Sequence, residues 1–248
     1  MKRLIICILL VIFTTILAYA DGWVFTNTSA TSDCQVGTYE MAYNGDHSSG
    51  ADYTCYNSGA ANEQGTAQNV TVTSDYVSFT TSNDFLKWTV TGDIAANMDE
   101  QGSIFFSVYT VNDGAYATSP ILEFYYDSND TMYFVVDGAS TRFRFNNYGG
   151  AVSSSVFSTG KSIATWYRCG YSWDTTANTH CARCVTSGTV DLSSPDDEDS
   201  EAVDPFAGDP TTFAIGEDLS GVGPNNETRV KDTAIVSGYK ATDPGPGL

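Results

Sequence analysis

The sequence predicts an all-β fold, a two-sheet antiparallel β-sandwich. Three observations carry that expectation. No stretch beyond residue 20 repeats apolar residues at i, i+3, i+4 and i+7, so no amphipathic helix is written into the chain. Short β-branched and aromatic runs stand instead between clusters of Gly, Asn, Asp and Ser, which is strand and turn chemistry. Several runs also alternate apolar and polar residues, the mark of a strand with one dry face and one wet face.

The first twenty residues stand apart from this pattern. Lys2 and Arg3 open the chain, Leu4 to Leu17 is apolar except for Thr14 and Thr15, and Ala18-Tyr19-Ala20 has the small-x-small form of a cleavage site. That is the layout of a secretory signal peptide. Export is expected, with Asp21 as the first mature residue and residues 21–248 as a single domain. No later run is apolar for the roughly 18 residues that a membrane helix needs. The expected location is secreted, either extracellular or at the cell surface.

Without Lys2 and Arg3, nine basic residues face thirty acidic ones, a net charge near −21. Such a surface repels phosphate backbones and anionic headgroups, so nucleic acid and membrane insertion are excluded as expectations. Cys7 leaves with the leader, and Cys34, Cys55, Cys169, Cys181 and Cys184 remain. Outside the cytoplasm cysteines pair, and an odd number leaves one thiol over.

Asp33 to Gln68, rich in Gly, Ser, Asn and Ala, reads as a long loop region stapled by Cys34–Cys55. Strands are then expected at 69–73, 76–80, 86–90, 103–110, 121–126, 132–136, 141–146, 165–173, 180–185, 212–216 and 230–237. Ile104, Phe106 and Val108 share one face of their strand. Phe143 and Phe145 oppose Arg142 and Arg144 on theirs. Asp127-Ser128-Asn129-Asp130 and Asp137-Gly138-Ala139-Ser140 carry hairpin chemistry, so 121–146 should be a three-stranded meander. Pro195 to Pro210, with Asp196-Asp197-Glu198-Asp199 and Glu201, reads as a charged surface loop.

The segment TWYRCGYSWDTTANTHCARC, Thr165 to Cys184, holds three cysteines and a histidine. As a hairpin it puts Tyr167, Cys169, Tyr171 and Trp173 on one face, with Trp166 and Arg168 on the other. Cys169 then stands across from Cys181 or Cys184, whichever the register brings to its face. The bridge carried forward is Cys169–Cys184. A zinc knuckle would need a second matched pair of ligands. Cys169 stands alone and His180 abuts Cys181, so zinc is set aside.

WYRCGYSWD resembles the strand and aromatic-Asp turn of concanavalin A-like lectin/glucanase domains, including laminin G-like modules. DEQGSIFFSVYT, ILEFYYDSNDTMYFVV, FAIGEDLSG and RVKDTAIVSGYKATDP are similar to further pieces of that pattern, in order, over residues 69–244. The three cysteines and the acidic insertion depart from it. The resemblance implies a jelly roll that presents sugars to one concave sheet or to its loop rim. It also implies a Ca²⁺ site near Asp232. The acidic loop, with Asp197 and Asp199, is the second expected Ca²⁺ position, because this ion takes six to eight oxygen ligands.

The leading expectation is non-catalytic binding of a polysaccharide or other glycan. The paired-carboxylate strand E-x-D-x-E of the family's glucanases is absent: Glu123 and Asp127 are four apart, and Glu198 and Glu201 sit in the acidic loop. Four of the nine basic residues, Arg142, Arg144, Arg168 and Arg183, fall on expected strands. A guanidinium grips carboxylate or sulfate in a bidentate way. Arg142 and Arg144, with Tyr133 and Tyr125 near them, therefore suit an acidic glycan. Asn146, Asn147 and Tyr148 in FNNYGG, and Tyr116 in NDGAY, offer amides and rings of the kind that orient a sugar. Two alternatives stay open. A lyase on acidic glycans would take His180 or a tyrosine as base. A structural matrix protein would bind a protein partner through the same sheet and self-associate through the leftover thiol.

Overall fold

The computed structural model describes residues 22–26, 41–44, 53–56, 62–68, 71–72, 76–80, 84–89, 101–110, 121–127, 130–137, 142–149, 152–162, 164–200, 211–216 and 228–243. The leader, Cys34 and Tyr116 lie outside them. Seventeen strands and no helix are present among the described residues. They are β1 (Gly22–Thr26), β2 (Met41–Asn44), β3 (Tyr53–Tyr56), β4 (Asn62–Gln68), β5 (Thr71–Val72), β6 (Val77–Phe79), β7 (Phe85–Thr89), β8 (Gln101–Thr110) and β9 (Leu122–Asp127). The rest are β10 (Asp130–Asp137), β11 (Arg142–Gly149), β12 (Val152–Ser158), β13 (Trp166–Asp174), β14 (Thr179–Val185), β15 (Asp197–Asp199), β16 (Thr212–Ile215) and β17 (Thr228–Ser237).

The expected β-sandwich is formed. One sheet runs β15-β14-β13-β8-β17, and β17 pairs beyond with β1 along one half and β6 along the other. The second runs β12-β11-β10-β9-β16-β7-β4. Pairings β4–β3, β3–β2 and β2–β1 link the two, and β1–β2 is the one parallel pair among the described residues. The meander β9-β10-β11 is present and gains a fourth strand, β12.

The dry faces meet in an aromatic core. Phe106 lies edge-on to Phe134 at 4.8 Å, Phe145 stacks on Tyr171 at 5.2 Å, and Phe143 meets Tyr167 edge-on at 5.2 Å. Each pair joins a residue of one sheet to a residue of the other. Each buried ring contributes about 1.5–3 kcal/mol, so these contacts also fix how the sheets face each other. Tyr167, Cys169, Tyr171 and Trp173 all point into this core, as their alternation requires. Glycine is obligatory at Gly102, where a Cβ would overlap the indole of Trp173.

The sequence expectation failed where strands are short or polar. The expected loop at 33–68 contains β2, β3 and β4, the serine-rich segment VSSSVFS is β12, and Asp197–Asp199 forms the edge strand β15 rather than loop. Backbone pairing to a neighbour made these strands, and local composition does not encode that.

The outward face of the first sheet is half sealed. The hydroxyls of Ser103 and Ser172 bond each other at 2.9 Å. They also receive the C-terminal segment: Ser103 donates to the Gly238 carbonyl, and the Lys240 and Ala241 amides donate to Ser172 and Ser103. Val190 and Leu192, from the 186–196 connection, are buried on the same side. At the end of this segment Asp243 accepts from Arg168 Nε at 3.1 Å, Arg168 Nη2 at 2.6 Å and the Val190 amide at 2.8 Å.

Candidate glycan-binding face

The residues expected to hold a ligand divide between two sheets. Arg142 and Arg144 lie on the outward face of β11, two residues apart and so about 7 Å along the strand. Tyr133 is the cross-strand partner of Asn146, and Val135 of Arg144. On the other side Asn146 faces Ser155, and Arg144 faces Phe157. One surface therefore gathers Arg142, Arg144, Asn146 and Tyr133. Arg142 lies over the Phe157 ring at 4.2 Å, a cation–π contact that orients its guanidinium outward along the sheet.

Asn146 is 5% exposed, which leaves little room for water around its amide. Its Oδ1 accepts from Ser155 Oγ at 2.7 Å, and its Nδ2 has no hydrogen-bond partner among the described residues. A buried N–H without an acceptor is costly. Two strands away Glu123 is buried, with Oε1 accepting from Thr131 Oγ1 at 2.8 Å. Asp137 stands opposite Arg142 in register. The face is thus mixed in charge, with its cations grouped at β11. Asn147 and Tyr148, expected in a loop, belong to β11, where Asn147 pairs with Met132 and Tyr148 with Thr131.

Arg168 and Arg183 do not join this row. They point outward from the first sheet, across the core. Arg168 is spent on Asp243 and on the carbonyl of Asp232, and Arg183 reaches the Ser194 carbonyl. The register offered no way to see this, because Arg168 and Asp243 are 75 residues apart.

The two positions expected for calcium stand on different strands. Asp232 is on β17, and Asp197 and Asp199 are on β15, with β8, β13 and β14 between them. That is four strand spacings, roughly 19 Å. Asp232 sits where the β17–β8 register slips, at φ 49°, and accepts from Ser107 Oγ at 3.5 Å. Asp197 accepts from the Phe157 amide at 2.9 Å. No group of three metal-binding side chains occurs among the described residues.

Cys169 faces Cys184 directly, and the two form a disulfide. Cys181 points the other way and is the free thiol, fully buried, with burial pushing its pKa up to about 11. It is not placed to join two chains. Cys55 is on β3; its expected bridge to Cys34 falls outside the described residues. His180, considered as a lyase base, is fully buried on the core side. Its Nδ1 is 2.9 Å from the Tyr171 hydroxyl, and burial lowers its pKa to about 4 against the opposing pull of Asp199 and Asp197. Neither group reaches the face that holds Arg142 and Arg144.

No family model matches the chain, and no curated protein matches it in sequence. Solved structures do match in shape. The binding domain of botulinum neurotoxin serotype G superposes with a TM-score of 0.54 at 12% identity, covering 75% of this chain and 45% of that one. A sialidase of Trypanosoma rangeli, in complex with a difluoro-KDN, gives 0.57 at 12% identity, covering 85% and 33%. The binding domain of botulinum neurotoxin DC in complex with SialylT gives 0.53 at 11% identity, covering 75% and 45%. The chain spans less than half the length of these neighbours. At such identities the likeness establishes the β-sandwich fold.

Proposed function

We propose that the chain is an exported, non-catalytic glycan-binding β-sandwich of the concanavalin A-like kind. Its ligand is an acidic polysaccharide held on the outward face of β9 to β12. The observation that carries this reading is the grouping of Arg142 and Arg144 on the outward face of β11, with Tyr133 beside them. Two guanidinium groups suit carboxylates or sulfates along a chain. Tyr133, partly exposed next to Asn146, offers a ring edge for the sugar's apolar face. Two structural neighbours, the sialidase with its difluoro-KDN and the toxin domain with SialylT, were solved with such ligands, which supports a sugar as the class of partner.

The test is titration calorimetry with polygalacturonate, dextran sulfate and neutral dextran. Acidic polymers should bind, neutral dextran should not, and R142Q/R144Q should weaken binding about tenfold or more. Equal binding of neutral dextran, or wild-type affinity in the double variant, would overturn the reading. A chelator arm tests calcium support. Binding lost with chelator would support calcium, with Asp232 and the pair Asp197 and Asp199 as its two candidate positions.

A further inference from the structure

The unsealed half of the first sheet's outward face has a different chemistry. Trp166, Tyr109 and Arg229 are successive cross-strand partners on β13, β8 and β17. Tyr76 joins them from just ahead of β6. Tyr109 lies 5.5 Å and Tyr76 6.0 Å from Trp166, tilted at 46° and 50°. The Arg229 guanidinium sits between the tyrosines, 4.8 Å from Tyr76 and 5.0 Å from Tyr109. Lys231 Nζ lies 4.7 Å over the indole of Trp166. All five side chains are partly exposed.

The contrast within one face is informative. Toward its other end Phe105, Ser103 and Arg168 are covered by residues 238–243 and by Val190. Sandwich faces turned to water are normally polar. Here three tilted rings are left partly open, with two of the nine basic side chains of the mature region placed on them. Asp232 marks the rim next to Lys231, held by Ser107.

From this geometry we infer a second glycan site, for a sugar bearing a carboxylate or sulfate, on the outward face of β6, β8, β13 and β17. The tilted rings form a shallow cradle for the apolar face of a pyranose. Arg229 and Lys231 meet the anionic group at its edge, and the flexible lysine leaves the indole when the sugar arrives. An acidic protein segment would also satisfy the cations. It would leave the ring cradle unused unless it carried aromatics of its own. The site lies across the core from Arg142 and Arg144, so one molecule can bridge two acidic chains. It stands independently of the β9–β12 face.

The experiment follows tryptophan fluorescence during titration with polygalacturonate, with dextran sulfate, neutral dextran and polyglutamate alongside. Trp173 is fully buried, and W166F identifies the share of the signal from Trp166. A fluorescence change is expected with the acidic polysaccharides. It should vanish in W166F and require about tenfold more ligand in R229Q/K231Q, while R142Q/R144Q leaves it intact. K231Q alone, at a partly exposed side chain, serves if the double variant does not fold. A signal unchanged in both W166F and K231Q would overturn this site and leave the β9–β12 face untouched. Equal binding of polyglutamate would overturn sugar as its occupant. A signal lost only in R142Q/R144Q would assign all binding to the other face.

Discussion

Asp243 is the position where one substitution should do most damage. Its side chain is fully buried and that of Arg168 is 3% exposed. The carboxylate takes two bonds from the guanidinium and one from the Val190 amide. D243A strands a buried cation, which costs about 3–5 kcal/mol, and leaves the Val190 N–H without its acceptor, about 1 kcal/mol more. The expected loss is about 4–6 kcal/mol, or roughly 10–20 °C in Tm for a domain of this size. Urea unfolding followed by fluorescence measures it. R168M/D243L removes both charges and should recover about half of the loss or more, because desolvated pairs are replaceable by apolar groups. A D243A loss below about 1 kcal/mol would refute the claim that this pair is sealed from water. A double variant no more stable than D243A would move the cause from the stranded charge to the packing of residues 238–243.

Two further predictions concern the hairpin β13–β14. Replacing both Cys169 and Cys184 by Ser opens a bridge of sequence separation 15, which should cost about 3 kcal/mol through the freed unfolded chain. Comparing urea midpoints under non-reducing conditions checks it, and native protein should show no thiol reactive at Cys181. His180 should make stability fall with acid. Its folded pKa is about 4, below the ordinary 6.5, so between these values the unfolded chain binds the extra proton. The contribution is intact above pH 6.5 and drains away as pH falls toward 4, about 2 kcal/mol by pH 5. H180N should lose that slope between pH 7 and 5; an unchanged slope would assign it to other groups.

The strands legible in the sequence are those whose own side chains bury. Phe143 and Phe145, or Ile104, Phe106 and Val108, announce a dry face by alternation alone. The four-residue strands β2 and β3 and the polar strands β4, β12 and β15 do not, because their place is fixed by the neighbour they bond to. The same division explains the cysteines. Alternation separates Cys181 from Cys184, but only the register of β13 against β14 brings Cys184 opposite Cys169.

The basic residues show why the site was harder to read than the fold. Arg142, Arg144, Arg168 and Arg183 look alike in sequence, each alternating with apolar or cysteine neighbours on a strand. What separates them is the sheet they stand on, and that is set by strand order. Arg168 meets a carboxylate delivered from residue 243, and Arg183 meets the Ser194 carbonyl. At the Trp166–Tyr109 end of that sheet the rings stay partly open. One signal for it was available: Trp166 falls out of phase with Tyr167, Cys169, Tyr171 and Trp173. A tryptophan on the wet face of an otherwise regular strand has a reason to be there other than the core. An anionic sugar is the proposed occupant there, and R229Q/K231Q against W166F separates that cause from simple ring packing.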